Sequence, residues 1–319
     1  MNSAVVVFDG YTRAGPKDHE DQRRTKTFSS NVAVDEHTTC TMSKTRFLSN
    51  SFNKSRLIEL LRTVLMTSSD VSVVISDDDA DTLIVSETLD LANIGPVKVR
   101  AEDTDVLCML VYHIRNVTHD VSFITKTACY SVRAIEQALP EKEREVLLLS
   151  HAYSGCDTTS CVKGFGKVSF LKKLSSPSFP QHTLQVLLDP TSSREEAISS
   201  GVSLFQYIYG HPSTPLHEQR FIKYTKLMAK GKFLPSKLPP TEEAAVQHSL
   251  RAVLQTSDWT LLRNQSRAPS EYGWKLGAKG YEPIGKVAPD SVLNFTSCIT
   301  AGRTLKNPPV GTVNVLARD

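Results

Sequence analysis

An α/β fold, with a twisted parallel sheet flanked by helices, is what this sequence predicts, and three observations predict it. Four short continuous apolar runs, AVVVF, VSVVIS, VKVRA and VSFIT, have the length of buried strands. Segments of helical periodicity separate them, and strands alternating with helices imply a parallel sheet. Acids collect where the runs end and the next helices start, the sheet edge at which ligands bind in such folds.

Taken in order, AVVVF ends at Asp9-Gly10 and so delivers a carboxylate to the end of the first strand. GPKDHEDQRRTKTF carries Lys17, Arg23, Arg24 and Lys26 and reads as a solvent-facing helix or a mobile arch. FLSNSFNKSRLIELLRTVL predicts a helix with Asn53 or Ser55 as N-cap and a stripe of Leu57, Ile58, Leu60, Leu61, Val64 and Leu65. DDDADTLIVSETLDLA and EDTDVLCMLVYHI, after the second and third strands, are helices opened by acids. Helices near 130–138 and 142–153 follow the fourth strand. Beyond residue 176, REEAISSGVSLFQYIYG and PLHEQRFIKYTKLMAKGK have helical periodicity, and Pro235, Pro239 and Pro240 mark a break. A helix over 241–255 then precedes a Gly- and Pro-rich, irregular tail with Trp259 and Trp274, expected to be loosely packed apart from buried anchors.

Composition narrows the function classes. With 40% hydrophobic and 22% charged residues in 319, the chain is a globular protein with ample core. Its formal charge of +3 does not argue nucleic-acid binding, so that case rests on local clusters. No apolar run reaches the ~18 residues of a membrane span, and MNSAVVVFDG does not read as a signal peptide. Cys40, Cys108, Cys129, Cys156, Cys161 and Cys298 contain no Cys-x-x-Cys pair and read as reduced thiols of an intracellular protein. His113, His119 and His151 have no ligand spacing with one another and read as ordinary core or surface residues.

The stretch HAYSGCDTTSCVKGFGKVSFLKKL sets Asp157 between a tight turn at Gly155 and a loop of Lys163, Gly164, Phe165, Gly166 and Lys167 ahead of a basic helix. Glycines at a helix start let backbone N–H groups approach an anion, which describes a phosphate cradle beside a carboxylate. A helix corner with glycines for close packing is the other reading of the same residues. Asp9, Asp79, Asp81, Asp103, Asp105 and Asp157 all fall at strand ends or helix starts. Six carboxylates on one edge repel one another unless cations neutralise them, and hard oxygen donors suit Mg²⁺ or Mn²⁺. The competing explanation is that acids are favoured in the first turn of any helix.

The ordered motifs VVVFDG, DADTLIV, EDTDVLCML and GCDTTSCVKGFGK resemble those of the flap endonuclease, or XPG-type, structure-specific nucleases. The resemblance covers residues 4 to about 175; the remainder is more faintly similar to the tails of nuclease-like proteins associated with mobile elements. It implies a PIN-like α/β core with a helix-hairpin-helix-like loop, and hydrolysis of DNA phosphodiesters, preferably at branched or flapped structures, with RNA a further candidate. It implies two Mg²⁺ or Mn²⁺ ions held by Asp9, Asp79, Asp81, Asp103, Asp105 and Asp157, with Lys17 and Arg23 at the reacting phosphate. Arg24, Lys163, Gly164, Gly166 and Lys167 would contact the nucleic-acid backbone, and a nuclear location follows from the DNA substrate.

Two departures accompany the resemblance. The family's first strand and its Asp have no counterpart ahead of VVVFDG, so the core is expected to lack a central strand and one ligand. Asp79 and Asp81 replace glutamates, shortening each reach by one methylene. A haloacid-dehalogenase-type phosphohydrolase would need a nucleophilic Asp where Val7 stands. A non-catalytic nucleic-acid-binding or scaffold protein with an incomplete metal site is the alternative of a different class. The expected organisation is a nuclease core over 1–175, a helical extension over 176–234, and a C-terminal helix with irregular tail over 235–319.

Overall fold

The computed structural model describes residues 3–10, 15–17, 29–35, 37–39, 41–77, 79–231, 234–262, 267–277 and 280–285. The chain is mixed α/β. In chain order its elements are β1 (Ala4–Phe8), α1 (Lys44–Leu48), α2 (Ser51–Leu65), β2 (Val71–Ile75), α3 (Ala80–Ala92), β3 (Val97–Arg100) and α4 (Thr104–His113). There follow β4 (Val121–Ile124), β5 (Cys129–Ser131), α5 (Val132–Ala138), α6 (Glu141–Glu145), α7 (Leu147–Ser154), α8 (Lys167–Leu174), α9 (Gln181–Leu188) and α10 (Arg194–Ile208). The last are α11 (Leu216–Ala229), α12 (Glu242–Leu261), β6 (Trp274–Gly277) and β7 (Gly280–Pro283).

The four apolar runs are strands, divided between two ladders. β1 pairs with β2 in parallel, Val6 opposite Val73, and β3 pairs with β4 in parallel, Val99 opposite Phe123. β5 adds to β4 antiparallel, and among the described residues no ladder joins the two sheets. The helix α3 spans them, packing on β1 and on β3. The expectation of fully buried strands therefore holds only for inward residues such as Val99, Val121 and Phe123. Val5, Val6, Val73 and Val74 are half-buried, because a two-stranded parallel pair has too few neighbours to cover both faces.

The helix α2 also departs from expectation. Its N-cap is Asn50, which accepts from the N–H of Phe52 at 2.9 Å and of Asn53 at 3.3 Å. Asn53 is instead a buried tie: its Oδ1 accepts from Val32 N at 2.7 Å and its Nδ2 donates to Ser30 O at 3.1 Å. The helix packs chiefly on β2 and α1, and Leu61 and Val64 of the apolar stripe are exposed.

The main core lies in the helical half. Met109, Leu110, Leu148, Leu149, Phe170, Phe205, Leu250 and Trp259 belong to one buried cluster. α12 packs on α7 and α10 at its centre, so loose packing of the C-terminal region does not hold for this helix. Trp259 lies on α12 and Trp274 in the β6–β7 hairpin, and both are buried. No helix of the described residues is long and apolar enough to cross a membrane. The charged segment with Arg23, Arg24 and Lys26, together with Cys40, Cys298 and the tail over 286–319, lies outside the described residues.

Candidate functional site

The end of β1 and the start of α3 build the first group of charges. Asp9 Oδ1 accepts from the N–H of Ala80 at 3.2 Å, which sets it over the first turn of α3. Asp79 is the N-cap of that helix and accepts from Asp81 N at 3.3 Å. Lys17 Nζ stands between the two carboxylates, 2.8 Å from Asp79 Oδ1 and 2.5 Å from Asp81 Oδ2. Burial pushes Asp81 up to about 7, with Asp79 and Asp103 adding repulsion that Lys17 offsets in part. Burial works against the Lys17 charge, but the two carboxylates outweigh it and hold the ammonium well above the usual lysine range. Partial loss of solvent raises Asp9, and the neighbouring Asp79 raises it further.

The second group forms between α4, α7 and the turn after α7. Asp103 caps α4 and accepts from Asp105 N at 2.8 Å, the same local geometry as at Asp79. Asp105 Oδ1 accepts from His151 Nε2 at 2.6 Å. Lys167 Nζ lies 2.9 Å from His151 Nδ1 and 2.8 Å from Nε2, and Cys108 Sγ is 3.6 Å from Nδ1. Burial would raise Asp105, but the His151 hydrogen bond and the His151 and Lys167 charges hold it below the usual carboxylate range. Burial would lower His151, yet the hydrogen bonds to Asp105 and Cys108 bring it up to about 9.

Asp157 reaches this group through a turn that only glycine permits. Gly155 has φ of 116°, and a Cβ there would stand 2.7 Å from Cys161 Cα. Thr159 closes the turn, donating to Ala152 O at 2.6 Å and accepting from Cys156 N at 3.0 Å. Asp157 then lines one cleft of about 670 Å³ with Asp103, Asp105 and Lys167. A second cleft, of about 540 Å³, is lined by Lys17, Asp77 and Asp79, and the two share Thr158, Arg251 and Trp274 as lining residues.

Of the residues singled out in the sequence, Asp9, Asp79, Asp81, Asp103 and Lys17 thus share one electrostatic neighbourhood, while Asp105, Asp157 and Lys167 line the cleft of about 670 Å³ together with Asp103. Arg23 and Arg24 lie outside the described residues. Lys163, Gly164 and Gly166 are exposed on the loop before α8. The carboxylates suit a hard divalent cation by their chemistry, and the Lys17 ammonium occupies a cation position between Asp79 and Asp81. Among the described residues, no three His, Cys, Asp or Glu side chains are arranged to hold a metal ion.

Two charged residues escaped the sequence reading. His151, expected to be ordinary, is the partner of Asp105; its place on the helix leading into the Gly-Cys-Asp turn was the available signal. Arg251 lines both clefts, and a lone arginine inside the apolar run Leu250 to Leu254 was its signal. Comparison with family models, with curated proteins and with solved structures gives no match for this chain.

Proposed function

We propose that this chain is a metal-dependent nuclease of the flap endonuclease type, with a PIN-like core, hydrolysing DNA phosphodiesters at branched or flapped structures in the nucleus. The observation that carries the reading is the gathering of acids from three distant segments around Lys17. Burial raises Asp81, the neighbouring Asp79 and Asp103 raise it further, and the Lys17 ammonium already answers Asp79 and Asp81. The α3 helix bridging two parallel strand pairs supports the PIN-like core.

Asp9, Asp79, Asp81, Asp103, Asp105 and Asp157 would hold the Mg²⁺ or Mn²⁺ ions, which supply charge neutralisation and water activation when bound. Lys17 serves the site by keeping Asp79 and Asp81 together, and its ammonium is the group able to turn to a phosphate oxygen once those carboxylates have another cation. His151 and Lys167 orient Asp105 from behind, fixing its Oδ1. Exposed Lys163 on the loop before α8 can meet the nucleic-acid backbone, as a contact that positions without reading sequence.

A second reading, a nucleic-acid-binding or scaffold protein with an incomplete site, is favoured by the lysine at the cation position and by the break between the two sheets. One assay separates them: cleavage of a labelled 5′-flap DNA with Mg²⁺ or Mn²⁺ by the parent and by an Asp103→Ala, Asp105→Ala double variant. The expected outcome is cutting by the parent and none by the variant. A folded parent that does not cut the DNA would leave the second reading standing.

A further inference from the structure

Arg251 sits on α12 between Leu250 and Ala252, with Val253 and Leu254 beyond, and all five residues are buried. Its Nη1 donates to Gly273 O at 3.2 Å, and the guanidinium lies 5.9 Å from the centre of the Trp274 ring. Among the described residues it makes no ion pair. A guanidinium stays charged in a protein, and burying that charge without a counter-charge is costly. The surroundings are nevertheless built around it. Gly273 has φ of 83°, and a Cβ there would press on Gln247 O at 2.9 Å and on Arg251 Cγ at 3.0 Å.

Other donors line the same walls. Thr158 Oγ1 donates to Gln255 Oε1 at 2.5 Å, which commits the carbonyl end of the amide and leaves Gln255 Nε2 as a donor on the cleft that Lys17 and Asp79 line. Among the described residues the buried indole Nε1–H of Trp274 has no hydrogen-bond partner, and this ring lines both clefts. A fixed positive charge and two further N–H donors thus line clefts that also carry carboxylates, Asp258 of α12 among them. Such a wall suits an anion with several acceptor oxygens.

We propose that Arg251, with Gln255 Nε2 and the Trp274 indole N–H, forms a phosphodiester-binding subsite that holds a nucleic-acid strand beside the carboxylates. The subsite rests on the nuclease reading for the identity of its ligand. It belongs to a part of the chain beyond the nuclease-like motifs, and it gives the C-terminal helix and hairpin a function in addition to their packing.

The test is fluorescence anisotropy with a short fluorescein-labelled oligothymidylate in EDTA, so that no cleavage intervenes. Arg251→Met is expected to weaken binding at least tenfold and to lower the slope of log K against log salt by about 0.7, the value for one lost contact to a single strand. Trp274→Phe keeps the ring and removes only the N–H, and is expected to cost roughly a few-fold in affinity. Binding by a folded Arg251→Met variant with parental affinity and salt slope would overturn the subsite, and so would a parent that does not bind. Should Arg251→Met fail to fold, Gln255→Met and Trp274→Phe decide, and parental affinity in both overturns it. The Asp103→Ala, Asp105→Ala variant is expected to bind in EDTA at least as tightly as the parent. A parent that cuts flap DNA while Arg251→Met binds unchanged sinks the subsite and leaves the nuclease reading intact.

Discussion

The starts of α3 and α4 carry nearly the same local sequence, Asp79-Ala80-Asp81 and Asp103-Thr104-Asp105, and nearly the same cap geometry. The caps have φ and ψ of −85° and 130° at Asp79 and −80° and 129° at Asp103, each accepting from the N–H two residues on. Their charge balance is opposite. At α3 two carboxylates share one cation, Lys17, and Asp81 is pushed up to about 7. At α4 one buried carboxylate, Asp105, lies against His151 with Lys167 close behind, and its pKa is lowered. Local sequence sets the cap, whereas partners many residues away set the protonation state.

The largest expected effect comes from removing the shared centre at α4. Asp105→Asn leaves the buried His151 beside Lys167 without its counter-charge, and the expected loss is roughly 3 kcal/mol in denaturant unfolding with EDTA. Its pH dependence has a definite sign. His151 is raised from 6.5 to about 9, so its contribution is complete below its unfolded value and drains as pH rises through 9. Asp105 is lowered, so its own contribution is present above the ordinary carboxylate value and drains as pH falls. The deficit of the variant should therefore be greatest in weakly acid to neutral solution and shrink by about pH 9.5. A deficit that grows with alkalinity would contradict the arrangement of two cations around one acid.

Lys17→Met is the mirror experiment at α3, with a smaller effect because the pair is only partly buried. Asp81 has a folded pKa raised above 3.8, so its contribution is complete below that value and is lost as pH rises through about 7. Without the ammonium, Asp79 and Asp81 repel once both ionise. The expected cost is slight near pH 5 and roughly 1–2 kcal/mol near pH 8. Equal costs at the two pH values would mean that Lys17 contributes by packing and not by charge.

This contrast also marks how far the sequence is readable. The alternation of strands and helices, and the placing of acids at α3 and α4, follow from apolar run length and from the preference for acids at helix starts. The β5 strand, three exposed residues long, owes its conformation to pairing with β4, and the β6–β7 hairpin has Gly277 and Gly280 within its strands, so neither carries a periodic signal. The helix α9 begins after Pro180 and buries only Leu184 and Leu187, too little to stand out from a loop. At the site, the capping acids were legible, but Lys17 reaches its partners across 62 and 64 residues and His151 across 46. Such pairings depend on tertiary packing, and no local pattern encodes them.

The smallest expected effects test whether the two caps are equivalent once charge is set aside. Asp103→Ala removes the acceptor for Asp105 N and should cost about 1 kcal/mol, the usual value of an N-cap. Asp79→Ala removes an equivalent acceptor, but it also takes a negative neighbour from Asp81 and leaves Lys17 to Asp81 alone. Its net cost should be smaller, and the difference between the two variants should widen from pH 5 to pH 8 as Asp81 ionises. Asp79→Asn and Asp103→Asn keep a capping oxygen and change only the charge. At pH 8 the first should equal or exceed the parent in stability, while the second should lie within a few tenths of a kcal/mol of it. If both Asn variants behaved alike at every pH, Asp79 and Asp81 would not be competing for Lys17, and the raised Asp81 would have to come from burial alone.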